Sequence, residues 1–459
     1  MSRIFVSAAH KSSGKTTVSI GLCAALSQLG KHVQPFKKGP DYIDPMWLGA
    51  AAEHPCHNLD FYTMQHKEII DTYHRSQKGI DINLIEGNKG LYDGLDLDGS
   101  NSNAALAKLL QAPVILVIDA RGMTRGIAPL ILGYQAFDKE INIAGVILNQ
   151  LGGSRHESKL RQVVEHYTDV PVIGAVHHHK DMIIDERHLG LMPSNEAQQA
   201  KQQIELLGKQ IHDQVDLDAV LSTAQSAPQL TTSTSPLQQH LADTTDVTIG
   251  IARDAAFGFY YPDDIAAFKD NGVKLVDIDL VHDTSLPAID GLFIGGGFPE
   301  TQMALLEKNS QMRTAIKNAI DNGLPCYAEC GGLMYLARSI TWGDKTSQMA
   351  GVINGDIIQH EKPQGRGYIR IKPTADCLWE TSPSKDAEIC AHEFHYSSLN
   401  NLPDDTIYAY EVLRGAGING KHDGIVYKNL MACYAHLRNT LQSPWVEGFV
   451  KFVQQCKHT

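Results

Sequence analysis

The chain has 459 residues, 43% of them hydrophobic and 20% charged, with a formal net charge of -12. That length suggests two or three domains with ample cores, and the acidic balance argues against general binding to nucleic acid or an anionic membrane. No apolar run approaches the ~20 residues needed to span a bilayer. The N-terminus runs directly into Ile4-Phe5-Val6, without the basic and long apolar regions of a signal peptide, so the expected compartment is the cytoplasm. Eight cysteines without paired zinc-ligand spacing read as reduced packing residues in such a chain.

The first element is a short apolar strand, Arg3 to Ala8. It runs into Ala9-His10-Lys11-Ser12-Ser13-Gly14-Lys15-Thr16-Thr17 and then a helix to about Gly30. A phosphate loop reads Gly, four residues, Gly, Lys, Ser/Thr; here Ala9 takes the first place, while Gly14, Lys15 and Thr16 fit. Gly14 lets the backbone curl around phosphate oxygens, Lys15 meets the β/γ-phosphates, and the Thr16 hydroxyl binds Mg²⁺. The helix adds its N-terminal dipole.

Further strands are expected at His32 to Phe36, Ile82 to Glu86, Val114 to Asp119 and Ala144 to Asn149, with helical patterns between them. This rhythm predicts a parallel sheet with helices on both faces. Lys37 to Asp44 follows the second strand and Glu86 to Gly94 the third. Segments after the carboxyl ends of parallel strands converge on one crevice. Asp41 and Glu86 are therefore expected to share Mg²⁺ with Thr16, and Lys37 and Lys38 to hold phosphate or a substrate carboxylate. His177-His178-His179 reads as a solvated turn after a strand from Val170 to Val176 rather than a metal site.

From Glu196 to Asp246 the composition shifts to Gln, Ser, Thr and Asp. The boundaries read as residues 1–221 for an ATP-binding domain, 222–246 for a linker and 247–459 for a second α/β domain. Strands there are expected at Val247 to Ala252, Lys274 to Ile278, Gly291 to Ile294 and Pro325 to Ala328. Cys330 then stands at a strand-to-helix turn, before Gly331-Gly332. Such a turn is expected to expose the sulfur, lower its pKa and supply an oxyanion pocket from Gly331. Gly295-Gly296-Gly297 follows another strand and offers further oxyanion N–H groups, from Gly296 and Gly297. His392, His395 and His436 are candidate bases, and spacing does not choose among them. A chain with both centres is expected to spend ATP on activating a carboxylate and to cleave glutamine for ammonia.

These residues together resemble the cobyrinate a,c-diamide synthase family of glutamine-dependent amidotransferases. The resemblance runs over nearly the whole chain. It rests on Gly14 to Thr17, Gln34 to Lys37, Gly39 to Asp44, Glu86-Gly87, Gly90 to Gly94 and Glu186 to Leu191. In the second half it rests on Ala255, Phe257, Phe259 to Pro262, Gly295 to Glu300, Tyr327 to Leu336 and His392 to Ser397. It implies a dethiobiotin-synthetase-like domain followed by a class I glutamine amidotransferase domain. It implies Cys330 as nucleophile and His436 as its base, with Asp41, Tyr42, Glu86 and Asp93 in substrate and metal motifs. The implied reaction is amidation of the a and c acetate carboxylates of a tetrapyrrole through an acyl phosphate, with ATP, Mg²⁺ and L-glutamine. A homodimer is compatible with it.

Three departures stand out. Arg438 replaces the second His of the family's His-Leu-His, Asn88-Lys89 replaces apolar residues, and Lys38 is polar where polarity is unusual. The latter two fall in substrate loops, and an extra lysine would suit sirohaem, sirohydrochlorin or its nickel complex as well as cobyrinate. A reading from another class is a partitioning-type ATPase switch. Lys11 is one position off that pattern, and the switch assigns no role to the chain after residue 247.

Overall fold

β-branched apolar runs in the first half form a seven-stranded sheet in a computed structural model that describes residues 1–184, 186–187, 190–194, 199–230, 246–384 and 386–458. Two units divide the chain, Met1–Phe61 with Gln65–Pro236 and Tyr62–Met64 with Leu237–Thr459.

In the first unit the strands are β1 (Arg3–Ala8), β2 (Val33–Lys38), β3 (His57–Leu59), β4 (Ile82–Glu86), β5 (Val114–Asp119), β6 (Ile143–Leu151) and β7 (Val172–His177). They lie in the order β3-β2-β4-β1-β5-β6-β7, and every pairing is parallel. All residues of β1, β2 and β4 are buried, as a sheet covered on both faces requires. The register sets Lys37 opposite Glu86 on the neighbouring strand. Lys37 and Lys38 therefore do not follow the second strand; they are its last two residues. Helix α1 (Lys15–Gln28) springs from the loop after β1, and α2 (Ile43–Ala52) from the loop after β2.

The helix Leu217–Gln225 carries regular structure into the region expected as linker, because Val220 and Ala224 are buried. Residues 231–245 of that linker lie outside the described residues, as do His188 and Leu189 of the Glu186 to Leu191 motif. The histidine run points three ways. His177 Nε2 meets Glu157 at 2.8 Å, His178 Nδ1 meets Gln150 at 2.7 Å and His179 Nδ1 lies 3.5 Å from Asp181.

The second unit holds a nine-stranded mixed sheet. Its strands are β8 (Thr248–Ala252), β9 (Lys274–Ile278), β10 (Gly291–Ile294), β11 (Cys326–Glu329), β12 (Gly365–Pro373), β13 (Ile389–His395), β14 (Ile407–Arg414), β15 (His422–Tyr427) and β16 (Leu430–Cys433). The order is β9-β8-β10-β11-β16-β15-β14-β12-β13. Pairings from β9 to β16 are parallel, and those from β16 to β13 antiparallel. β11 thus sits between β10 and β16, and its carboxyl end delivers Cys330.

One face of this sheet is closed by the helix Trp445–Lys457. Trp445 is fully buried, with ring centroids 4.8 Å from Tyr327 and 5.2 Å from Phe293. Tyr327 and Phe293 stack in turn at 5.5 Å. Trp445→Ala should remove about 3–5 kcal/mol of stability. A thermal melt should show a midpoint lower by roughly 10 °C; an unchanged midpoint would mean this aromatic cluster does not hold the unit together.

Candidate functional site

The first unit gathers a charged cluster where β1, β2 and β4 end. Gly14 has φ 77°, and a Cβ there would lie 2.2 Å from Asn149 Nδ2, so the turn demands glycine. Asn149, at the end of β6, donates to the Ser13 carbonyl at 2.8 Å, and the Tyr134 hydroxyl donates to the Ala9 carbonyl. These contacts fix the loop from its two ends. Lys15 Nζ then lies 2.5 Å from Glu86 Oε1, and the Thr16 hydroxyl donates to the same oxygen at 2.7 Å. Thr17 is half-buried in the first turn of α1.

Lys37 Nζ reaches Glu86 Oε1 at 2.9 Å and Asp44 Oδ2 at 2.5 Å. The two lysines respond oppositely to this setting. Burial works against the Lys37 ammonium, but Asp44, Glu86 and Asp41 outweigh it and hold Lys37 well above the ordinary lysine range. For Lys15, burial prevails over the attraction of Glu86 and pulls the ammonium down. Lys15 is thus the less firmly charged of the pair.

Asp41, expected to share the cation, also has a structural part. Its Oδ1 accepts the N–H groups of Ile43 and Asp44 at 3.0 and 3.1 Å, which caps α2. Of the two aspartates, Asp44 is the one within reach of Thr16, at 3.2 Å. Nothing in the sequence spacing separated the two. Tyr42 is buried at the start of α2, whereas Asp93 is exposed and accepts the Gly90 N–H at 2.9 Å. A divalent cation such as Mg²⁺ fits this donor set. Glu86 Oε2 is buried with no hydrogen-bond partner, and hydroxyl and carboxylate oxygens from Thr16 and Asp44 stand beside Glu86.

Lys38 faces away from this group. It is buried, with Nζ 3.4 Å from Asn101 Oδ1, and burial pulls it down to about 8 against the attraction of Asp60. The folded chain therefore releases this proton near pH 8 and the unfolded chain only near pH 10, so the lysine costs stability at pH 7 and less as pH rises. Lys38→Met should melt a few degrees above the parent at pH 7, with the advantage shrinking between pH 8 and pH 10. A pH-independent difference in melting would refute this origin.

In the second unit, Cys330 has φ 46° and ψ -99°, a strained conformation for a residue with a side chain. Its N–H donates to the Cys433 carbonyl at 2.7 Å. Gly332 allows the sharp turn to press on β10, since a Cβ there would lie 2.2 Å from the Ile294 carbonyl oxygen. Gly296, Gly297 and Gly331 are buried around the same turn, and a Cβ on Gly331 would lie 2.9 Å from the Gly297 amide nitrogen.

The expected exposed, acidic thiol is not what this packing produces. Cys330 is buried, and burial pushes its thiol up, reinforced by Glu300 and opposed by the Gly331 N–H. The turn supplies one amide, too little to offset desolvation. Labelling of Cys330 by iodoacetamide, read by mass spectrometry, should therefore rise about tenfold per pH unit and continue past pH 9. A plateau near pH 7 would reveal a preformed thiolate instead.

The three candidate histidines separate clearly. The His395 ring stacks on Tyr434 at 3.8 Å, and its Nδ1 meets the Ser397 carbonyl at 2.8 Å. His392 meets the Tyr261 hydroxyl at 3.2 Å through Nδ1, and burial pulls it far below the ordinary histidine range. His436 stacks on His392 at 4.8 Å and places Nδ1 3.5 Å from Glu329 Oε2. Arg438 turns away, reaching Asp263 at 2.9 Å and lying over the Tyr261 ring. Asp423 accepts the N–H groups of Tyr434 and Ala435 at 3.0 and 2.8 Å and so anchors the segment that leads to His436.

Both units match known families. Residues 248–441 match the model of a CobB/CobQ-like glutamine amidotransferase domain, and residues 2–184 that of an AAA domain. A cobyrinate a,c-diamide synthase from Magnetococcus marinus is 44% identical over 98% of this chain and 97% of that protein. The chain belongs to the cobyrinate a,c-diamide synthase family. Its relatives of the same name include one from Methanosarcina acetivorans, 40% identical over 98% of this chain and 96% of that protein. Another, from Dehalococcoides mccartyi, is 39% identical over 98% of this chain and 97% of that protein. As a member of this family, the chain is a glutamine-dependent carbon–nitrogen ligase with a P-loop nucleotide site. Among the described residues, no helix is long and apolar enough to cross a membrane.

Proposed function

We propose that the chain amidates the a and c acetate carboxylates of cobyrinate, spending ATP and taking nitrogen from L-glutamine. Residues 1–221 form the synthetase part and residues 247–459 the glutaminase part. What supports this reading is one chain with two polar centres, the Lys15–Glu86–Lys37 cluster and the strained Cys330 turn whose neighbour Glu329 faces His436, in a family whose relatives bear the name of that reaction.

In the synthetase part, Lys15 and the loop amides around Gly14 bind the triphosphate. Thr16, Glu86 and Asp44, together with Asp41, would hold Mg²⁺, which would neutralise phosphate charge. Lys37 and Tyr42 position the acid, and Asp93 belongs to the same substrate loop. A carboxylate oxygen attacks the γ-phosphorus and ADP leaves, giving an acyl phosphate. Ammonia then adds at the acyl carbon and inorganic phosphate departs. The activation is needed because an unactivated carboxylate has no leaving group that an amine can displace.

In the glutaminase part, Cys330 Sγ attacks the amide carbon of glutamine. His436 takes the thiol proton and passes it to the departing ammonia, and the amides of Gly297 and Gly331 bind the oxyanion, helped by Gly296. Water then releases glutamate from the thioester. Cobyrinate ranks ahead of sirohaem, sirohydrochlorin and its nickel complex because the relatives' names specify it.

Cys330→Ala should abolish synthesis driven by glutamine and leave synthesis driven by ammonium salts. Mass spectrometry of cobyrinate incubated with ATP, Mg²⁺ and glutamine should show two successive losses of about one mass unit. Full glutamine use by Cys330→Ala would remove the nucleophile assignment, and an unaltered cobyrinate mass would remove the substrate.

A further inference from the structure

A buried thiol pushed toward its neutral form needs a base that accepts its proton during attack. A histidine serves only if the ring nitrogen facing the thiol is unprotonated, and this requires the other nitrogen to carry the proton and find an acceptor. In the glutaminase unit that acceptor stands next to the nucleophile in sequence. Glu329, the last residue of β11, is buried, with Oε2 3.5 Å from His436 Nδ1. Catalytic hydrogen bonds are often long in ligand-free sites and tighten in the complex.

The other oxygen of this carboxylate is already fixed. Glu329 Oε1 accepts the Tyr327 hydroxyl at 2.8 Å and the Leu437 N–H at 2.9 Å. One carboxylate thus grips the backbone beside the base with one oxygen and faces its ring with the other. The ring is also held from its sides. His392 stacks on it with an interplanar angle of 13°, and a Cβ on Gly296 would lie 2.6 Å from His436 Cε1. Arg438, two residues beyond the base, is committed to Asp263.

We propose that Glu329 is the positioning residue of the glutaminase centre, fixing His436 in the tautomer protonated at Nδ1 so that Nε2 receives the Cys330 proton. This rests on the assignment of Cys330 and His436 given above. Among the described residues, the charged and titratable groups around His436 include Glu329 at the end of β11 and His392 on β13, with Arg438 two residues beyond His436 and Asp263 and Asp264 of the helix Pro262–Asp270 facing Arg438.

The test measures glutamate release by the full chain across pH, together with synthesis from ammonium salts. Glu329→Gln keeps an oxygen for Leu437 and Tyr327 but offers an N–H to Nδ1. It should lower kcat about a hundredfold or more, with KM for glutamine little changed, an altered pH profile and ammonium-driven synthesis preserved. Glu329→Asp should recover part of the loss. A Glu329→Gln enzyme with the parental kcat and pH profile would overturn the proposal, as would a loss confined to KM. If the parent chain itself releases no glutamate, the assignment of Cys330 fails and this inference falls with it. Independently of any variant, nitrogen-15 NMR of the parent should find His436 protonated at Nδ1, its signal identified by its loss in His436→Asn. Protonation at Nε2 alone overturns the proposal even if Glu329→Gln does not fold.

Discussion

A fully buried carboxylate needs polar partners, and Glu86 organises the first unit around that requirement. One oxygen gathers Lys15, Lys37 and the Thr16 hydroxyl. With Glu86 on β4, they join three stretches of chain: Lys15 and Thr16 open α1, and Lys37 lies at the end of β2. Leaving a buried charge uncompensated costs about 3–5 kcal/mol, so the three segments are tied to one another by electrostatics as firmly as by packing. The phosphate loop acquires its shape from this arrangement and from Asn149, which holds it from the far side.

Much of this was legible in the sequence. The strands of the first unit carry unbroken β-branched runs, and parallel topology forces the segments after them to one edge, so Lys15, Lys37 and Glu86 could be brought together from pattern alone. The choice between Asp41 and Asp44 could not. Both lie within one turn, and only the helix start decides that Asp41 caps while Asp44 reaches the threonine. Lys38 likewise follows Lys37 in sequence, yet alternation along β2 sends the two ammonium groups to different partners.

The second unit was less legible for a physical reason. Its parallel strands read as apolar runs, but the antiparallel half, from Gly365 to Tyr427, mixes buried and exposed positions and gave no strand expectation apart from its histidines. The contact between Glu329 and Leu437 spans 108 residues of sequence. Such a pair is joined by sheet order, β11 beside β16, and not by spacing. The acidity of Cys330 also eluded the motif, because a glycine-rich turn indicates an amide near sulfur but says nothing of how thoroughly the turn is covered.

The adjacency of Glu329 and Cys330 on one strand end has a mechanical meaning. The carboxylate that holds the Leu437 backbone and the sulfur share a single peptide link, so a displacement of β11 carries both in the same direction. The segment bearing His436 is tethered to that strand through the same carboxylate and through paired backbones of β11 and β16. Breathing of the sheet thereby becomes common-mode motion for Cys330 and His436, and their separation is insulated from it in a way that residues on two independent loops could not match.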